Sequence, residues 1–361
     1  MGETLGHRTV RTALAAAVVL CFAVSLRALA SSNAVAAPPP PTCRWTAVLE
    51  LDSLVRGVDG ALWAVSASST ADVWVGGLDE AKVGTQTTRS RPLLAHWDGR
   101  AWKVTRSPIR WGYVEAIVHA TNGAWATLRN RDGAFLLRWN GTGWRVTAPP
   151  ANESSATLAY GPRGSAWLIG NYVYERQAGS WRRLSALGRV TQRDSLWTSR
   201  SSGELWRITH FGPAHTRPPL IARWDGTRWV QTAPRLSRFT DPANIVVFSR
   251  TEAWLAGTDG DHALLFRWDG TRWRRVPGPP RAAIDATAYT TGTHTLWLAG
   301  STTNAAVTLF PPYLMRNQGT GWKPMPPPTS EDADNFTLYA VGKETWATTT
   351  SNDDLFRLVC A

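Results

Sequence analysis

The chain has 361 residues, 21 of them tryptophan, and a formal charge of +12. Only Lys82, Lys103, Lys323 and Lys343 are lysine, so arginine carries most of the positive charge, as a fork suited to carboxylate and phosphate. The apolar run at residues 13–26 is 14 residues long, short of the roughly 20 that a spanning helix needs, which argues against an integral membrane protein.

From the N-terminus, Arg8 and Arg11 precede that run, and small residues follow at Ala28-Leu29-Ala30 and Ala34-Val35-Ala36. This is the layout of a secretory signal peptide over residues 1–30, with cleavage as late as residue 36 as the other option. An uncleaved anchor is the alternative, since Arg27 also suits a short membrane stop, and membrane contact is expected only in that case. No Arg-Arg pair precedes the run, so the chain is expected to be exported unfolded, without a preloaded cofactor. An exported chain is also a poor nucleic-acid binder. Residues 31–42, with Pro38-Pro39-Pro40-Pro41, read as a stiff polyproline spacer. Residues 43–361 contain no comparable linker and read as a single domain.

Within that domain, fourteen tryptophans form two alternating series of seven. Trp74, Trp125, Trp167, Trp206, Trp254, Trp297 and Trp346 sit in short apolar runs such as Glu252-Ala253-Trp254-Leu255-Ala256-Gly257. Trp45, Trp102, Trp144, Trp181, Trp229, Trp273 and Trp322 follow turns, as in Trp268-Asp269-Gly270-Thr271-Arg272-Trp273. Steps of 39 to 51 residues in the first series, built from short β-rich runs, are the mark of a β-propeller. Each unit reads as four strands, at residues 244–249, 252–257, 263–268 and 272–276 in the fifth. Asp98-Gly99, Asn140-Gly141, Asp225-Gly226 and Asp269-Gly270 join third to fourth strands and predict type I′ turns. Trp97, Trp139, Trp224 and Trp268 precede those turns, and all eighteen repeat tryptophans are expected to pack between neighbouring blades. The expected fold is all-β, a seven-bladed propeller of four-stranded blades.

The chain enters and leaves in mid-blade. Arg44-Trp45-Thr46-Ala47-Val48 matches a fourth strand and Leu355-Phe356-Arg357-Leu358-Val359 a third, so the N-terminal strand is expected to complete the last blade. Aligned on the fifth unit, Cys360 falls near the position of Gly270 and Cys43 near that of Thr271, which predicts a disulfide in place of the missing turn.

In such a blade the second-to-third connection and the link to the next blade emerge on one face, the top, where function is expected to concentrate. Its inter-blade loops carry Arg106, Arg110, Arg189, Arg193, Arg235, Arg238 and Arg281, interleaved with Trp111, Tyr113 and Phe239. These are the candidate ligand-binding residues, because arginine beside aromatic rings stacks on sugars and pairs with carboxylate or phosphate. The loop before the seventh blade is acidic, with Glu331, Asp332 and Asp334, but lacks the spacing of a calcium loop. Nucleophile-elbow, zinc-helix, phosphate-loop and dinucleotide fingerprints are absent. His210, His215 and His262 lie on neighbouring blades without a metal-site pattern, so no catalytic residue, metal or cofactor is assigned. Asp194 and Asp285, at the starts of first strands, are where an enzyme of this fold would place an acid or base.

The recurring Trp-x-Ala-Gly run followed by Arg-Trp-Asp-Gly-Thr-x-Trp-x-x-Val-Pro, clearest at residues 253–277, resembles the Trp-rich secreted β-propellers common in high-GC Gram-positive bacteria. More remotely the alternation is similar to tectonin-type lectin propellers, which implies carbohydrate recognition without naming a residue. The reading is therefore a secreted, monomeric propeller that binds an extracellular glycan, wall polymer or envelope protein through its top face. An extracellular lyase or hydrolase of acidic polysaccharide and an envelope scaffold are the alternatives.

Overall fold

The computed structural model describes residues 43–360 apart from 55–58, 84–86, 122, 151–152, 154–155, 192–193, 199–203, 212–216, 233, 235, 238–239, 260–261, 278–284, 292–294, 302–311, 318–320, 329–335, 342–343 and 350–353. Residues 1–42, where a leader and a Pro-rich spacer are expected, lie outside the described residues. So do Arg193, Arg235, Arg238, Phe239, Arg281, His215 and the acidic Glu331, Asp332 and Asp334.

Seven antiparallel four-stranded sheets form the blades of a propeller. Blade 1 comprises Asp59–Ser69, Asp72–Val83, Thr87–Trp97 and Trp102–Val104, and blade 2 Tyr113–Ala120, Gly123–Asn130, Gly133–Trp139 and Trp144–Thr147. Blades 3 to 6 repeat the order, starting at Thr157–Tyr160, Asp194–Thr198, Thr240–Ser249 and Asp285–Thr291. Blade 5 follows the expected strands with longer ends, at Thr240–Ser249, Glu252–Asp259, His262–Trp268 and Trp273–Arg275. In blade 7 the strands Phe336–Val341, Glu344–Thr349 and Leu355–Cys360 are joined by Cys43–Leu49 as the fourth. The N-terminal strand thus closes the ring, with Cys43 directly opposite Cys360 and Trp45 opposite Leu358.

The tryptophan series explains why the blades adhere. All seven second-strand tryptophans are buried, and Trp125 and Trp206 have no exposed surface. Trp74 of blade 1 meets Trp144 of blade 2 edge to face, with ring centroids 5.0 Å apart. Trp125 meets Trp181 of blade 3 at 5.4 Å and Trp206 meets Trp273 of blade 5 at 5.1 Å. Each such contact joins a second strand to the fourth strand of the next blade, and edge-on aromatic pairs contribute about 0.5–1.5 kcal/mol beyond area burial. The fourth-strand indoles also donate N–H groups backwards: Trp102 to Val48 O, Trp144 to Thr105 Oγ1, Trp229 to Leu187 O, Trp273 to Thr232 Oγ1 and Trp45 to Pro326 O. A large apolar body with one polar edge suits this seam, because in these five the ring packs against the neighbour while its N–H keeps a partner, whereas the Trp181 and Trp322 N–H groups are buried with none among the described residues.

The third-to-fourth turns depart from the expected class. At Gly99, Gly141, Gly226 and Gly270 φ is positive, at 87°, 98°, 105° and 95°, but neither the Asp or Asn before each glycine nor the residue after it is left-handed. A type I′ turn needs positive φ at both central residues, so these turns are not of that class. The preceding side chain replaces the missing geometry. Asp98, Asn140, Asp225 and Asp269 each accept the backbone N–H groups two and three residues on, at 2.8–3.0 Å. Both central residues are left-handed at Ala178-Gly179 in blade 3, with φ of 42° and 85°.

Candidate functional site

The top of the molecule bears an open groove of about 820 Å³ between blades 1 and 2. Three segments build it. The loop from blade 1 into blade 2 supplies Arg110, Trp111 and Tyr113, the long second-to-third hairpin of blade 1 supplies Arg89, and the tight second-to-third turn of blade 2 supplies Arg131 and Asp132.

Backbone bonds lock these segments together. Gly112 N–H donates to Ser90 O at 2.9 Å, and the Asn130 side-chain amide donates to Trp111 O at 3.4 Å. Asn130 Oδ1 in turn accepts the Asp132 N–H at 2.7 Å, shaping the turn that carries Arg131. Gly112 has φ of +124°, and a Cβ there would stand 2.4 Å from Arg129 O, so glycine is the residue that lets the loop approach blade 2 this closely. Trp111 is consequently held by both blades.

The Arg110 and Arg89 guanidinium carbons lie over the Trp111 ring, 4.9 and 5.5 Å from its centroid. Arg89, Arg110 and Arg131 are exposed and make no ion pair with any described residue. Arg129, at the groove wall, is different: its Nε and Nη2 both donate to Glu115 Oε1, at 3.1 and 2.8 Å. Glu115 is the residue pushed out of register by a β-bulge between Val114 and Ala116, which turns its carboxylate towards Arg129. Tyr113 packs edge-on against Trp63 at 5.7 Å, and Trp63 donates its indole N–H to Val114 O at 2.7 Å.

Of the residues singled out in the sequence, the structure therefore brings together Arg110, Trp111 and Tyr113. Arg106 and Arg189 are exposed on top-face loops but do not line the groove. Arg89, near the start of the third strand of blade 1, and Arg131, on the second-to-third turn of blade 2, were missed because neither lies on an inter-blade loop.

The carboxylate best placed for chemistry is already engaged. Asp194 Oδ2 accepts the N–H and hydroxyl of Thr191, and Oδ1 accepts the Thr209 hydroxyl, with Arg207 Nε 4.0 Å away. It pins the loop between blades 3 and 4. Asp285 starts its strand as expected, but its side chain is outside the described set. His210 Nδ1 lies 3.7 Å from Asp241 Oδ1 across blades 4 and 5. A second histidine grouping surrounds Asp72, whose oxygens meet His96 Nε2 at 2.7 Å, His119 Nδ1 at 3.4 Å and the Ser68 hydroxyl at 2.6 Å. Burial alone would raise the Asp72 pKa, but the Ser68 and His96 hydrogen bonds and the two imidazoles together lower it. Among the described residues no group of three or more histidine, cysteine or acidic side chains is arranged to hold a metal.

No family model matches the chain, and no curated protein matches it. Solved structures do. The β-propeller domain of the Trilobed protease from Pyrococcus furiosus, described as having an open velcro topology, aligns with a TM-score of 0.55 at 10% identity, over 83% of this chain and 95% of that one. The GH74 xyloglucanase from Xanthomonas campestris aligns with a TM-score of 0.50 at 13% identity, over 86% of this chain and 54% of that one. This chain therefore spans about half of the xyloglucanase. At such identities the likeness establishes the propeller fold alone.

Proposed function

We propose that this protein is a secreted propeller that binds an extracellular glycan or anionic wall polymer through its top face, with the groove between blades 1 and 2 as the principal site. The observation that carries the reading is the set Arg89, Arg110 and Arg131, three guanidinium groups that line one groove and pair with no carboxylate among the described residues, two of them over one clamped indole. A groove of about 820 Å³ with a few convergent polar groups is the form a ligand site takes. Arg106 and Arg189, with Arg193, Arg235, Arg238, Phe239 and Arg281 beyond the described residues, would extend the same cationic face. The xyloglucanase acts on a glucan by its name, but at 13% identity it lends no residue to this reading.

Export would also account for the two cysteines of the mature chain. The register that sets Cys43 opposite Cys360, together with the disulfide form of Cys43, supports a bridge between them that replaces the turn found in other blades. The test of function is a binding screen of the purified chain against glycans and wall polymers, repeated with Arg89, Arg110 and Arg131 all changed to Ser. Binding that survives the triple change intact would exclude the groove.

A further inference from the structure

We infer that the groove is built for the carboxylates of an acidic polysaccharide, a uronate-bearing chain, with Trp111 acting as a holder of arginines and not as a platform for a sugar ring. The inference rests on the function proposed above and narrows its ligand. An indole used for sugar stacking must offer an open face. Here two guanidinium groups, those of Arg89 and Arg110, already lie over the ring. The ring quadrupole attracts both cations and fixes their planes, at a cost in mutual repulsion that an incoming anion relieves. Orienting a guanidinium fork before binding favours bidentate pairing with a planar carboxylate.

The third arginine and the one acidic group refine the ligand further. Arg131 and Asp132 are adjacent and exposed on the turn of blade 2, and both line the groove. Neither makes an ion pair with any described residue. A carboxylate in a cationic groove that pairs with no described cation accepts hydrogen bonds from neutral hydroxyls. A uronate ring carries one carboxylate and several hydroxyls, and so supplies a partner for each. A polyol phosphate offers fewer hydroxyls to set against Asp132. Arg129 is withdrawn from this set by Glu115.

The test uses the mature chain and three probes in calorimetric titrations: polygalacturonate, the same polymer fully methyl-esterified, and poly(glycerol phosphate). Polygalacturonate is expected to bind with an affinity that falls as salt rises, and the ester at least tenfold more weakly. Arg110→Ser and Arg89→Ser are each expected to weaken polygalacturonate about tenfold or more with an unchanged melting temperature. Trp111→Phe, which keeps a ring for the arginines, is expected to bind better than Trp111→Ala. Equal binding of the ester, abolished by Trp111→Ala, would overturn the inference while leaving a top-face glycan site in place. Tighter binding of poly(glycerol phosphate), strengthened further by Asp132→Asn, would overturn the carboxylate assignment alone. Binding of any probe that ignores all the groove variants would overturn both the inference and the proposed site.

Discussion

The groove between blades 1 and 2 and the turns at the opposite end of the blades are both rich in arginine, but they differ in how many of those charges meet a carboxylate. At the turns several cations have a carboxylate beside them. Arg228 faces Asp225, Arg272 and Arg274 face Asp269, and Lys103 faces Asp98. A second hollow of about 540 Å³ lies beside the blade 5 turn, but two of its arginines are taken, Arg267 by Glu252 at 3.0 Å and Arg274 by Asp269 at 2.8 Å. At the top, Arg89, Arg110 and Arg131 make no ion pair with any described residue, and Arg89 and Arg110 lie over an indole. Arginine content is thus a poor guide to a binding surface in this chain, and the placement of carboxylates is a better one. The basic residues after the fourth-strand tryptophans, Lys103, Arg145, Arg182, Arg274 and Lys323, have a structural explanation too, since charge on an outer strand discourages edge-to-edge pairing.

The most severe way to disturb the turn end is to open it where no turn exists. Blade 7 has Cys43 opposite Cys360 in the place of an Asp-Gly turn. Changing both to Ser is expected to cost about 2–5 kcal/mol, the usual range for a native disulfide in a secreted domain. Denaturant midpoints of the unreduced proteins measure this. Two reactive thiols in the unreduced parent would rule the bridge out.

The comparison is broken most directly by exchanging charge at the two ends. Changing Arg89, Arg110 and Arg131 together to Ser is expected to raise the Kd for an acidic polymer on the order of a hundredfold, with little effect on melting temperature. The matched set Arg228, Arg272 and Arg274 is expected to leave affinity within about twofold, because those charges are screened and already partnered. Equal losses from both sets would mean that total charge, and not placement, governs binding.

The turns themselves should report on acid. Backbone N–H groups of Arg228 and Thr227 hold the Asp225 carboxyl down to about 2. Hydrogen bonds from Lys103 at Asp98, and from the Thr271 hydroxyl and Arg274 at Asp269, hold those carboxyls well below the usual carboxylate range. A folded pKa below the unfolded one stabilises the fold fully above about pH 4, and that stabilisation is lost as pH falls through the folded value. Blade 2 already carries the control. Asn140 makes the same two backbone bonds and does not titrate. A protein with Asp98, Asp225 and Asp269 all changed to Asn is therefore expected to lose less melting temperature than the parent between pH 4 and pH 2. Parallel curves would show that these turns do not contribute to acid sensitivity.

Which parts of this comparison are legible in the sequence follows from how local each signal is. The tryptophan period marks every blade because burying one indole per seam is a requirement repeated seven times. The pairing of Cys43 with Cys360 follows from aligning the chain ends on a single unit. Arg110, Trp111 and Tyr113 stand out because they share one inter-blade loop. Arg89 and Arg131 do not, since their approach to Trp111 depends on a long hairpin in one blade and a tight turn in the next, and on Gly112 allowing the close contact. The Asp-Gly pairs announce turns correctly, but the turn class depends on the Asp side chain accepting two N–H groups, which dipeptide statistics do not encode.

The smallest expected effect concerns a turn that lacks this device. In blade 3 no Asp or Asn precedes the glycine, and Ala178 adopts φ of 42°, a left-handed conformation that its Cβ disfavours. The neighbouring pair, Gln177 and Ser180, is in register, so the strain is confined to the turn and not relieved by a slip. Gly at 178 removes the Cβ clash but enlarges the freedom of the unfolded chain, whereas Asn tolerates the conformation and keeps a side chain. Ala178→Asn is therefore expected to stabilise by about 0.5–1 kcal/mol and Ala178→Gly by less, read from urea midpoints at constant m-value. If both variants proved less stable than the parent, the side chain of Ala178 would be making a contact that outweighs its backbone strain. The third-to-fourth turns would then differ in packing as well as in hydrogen bonding.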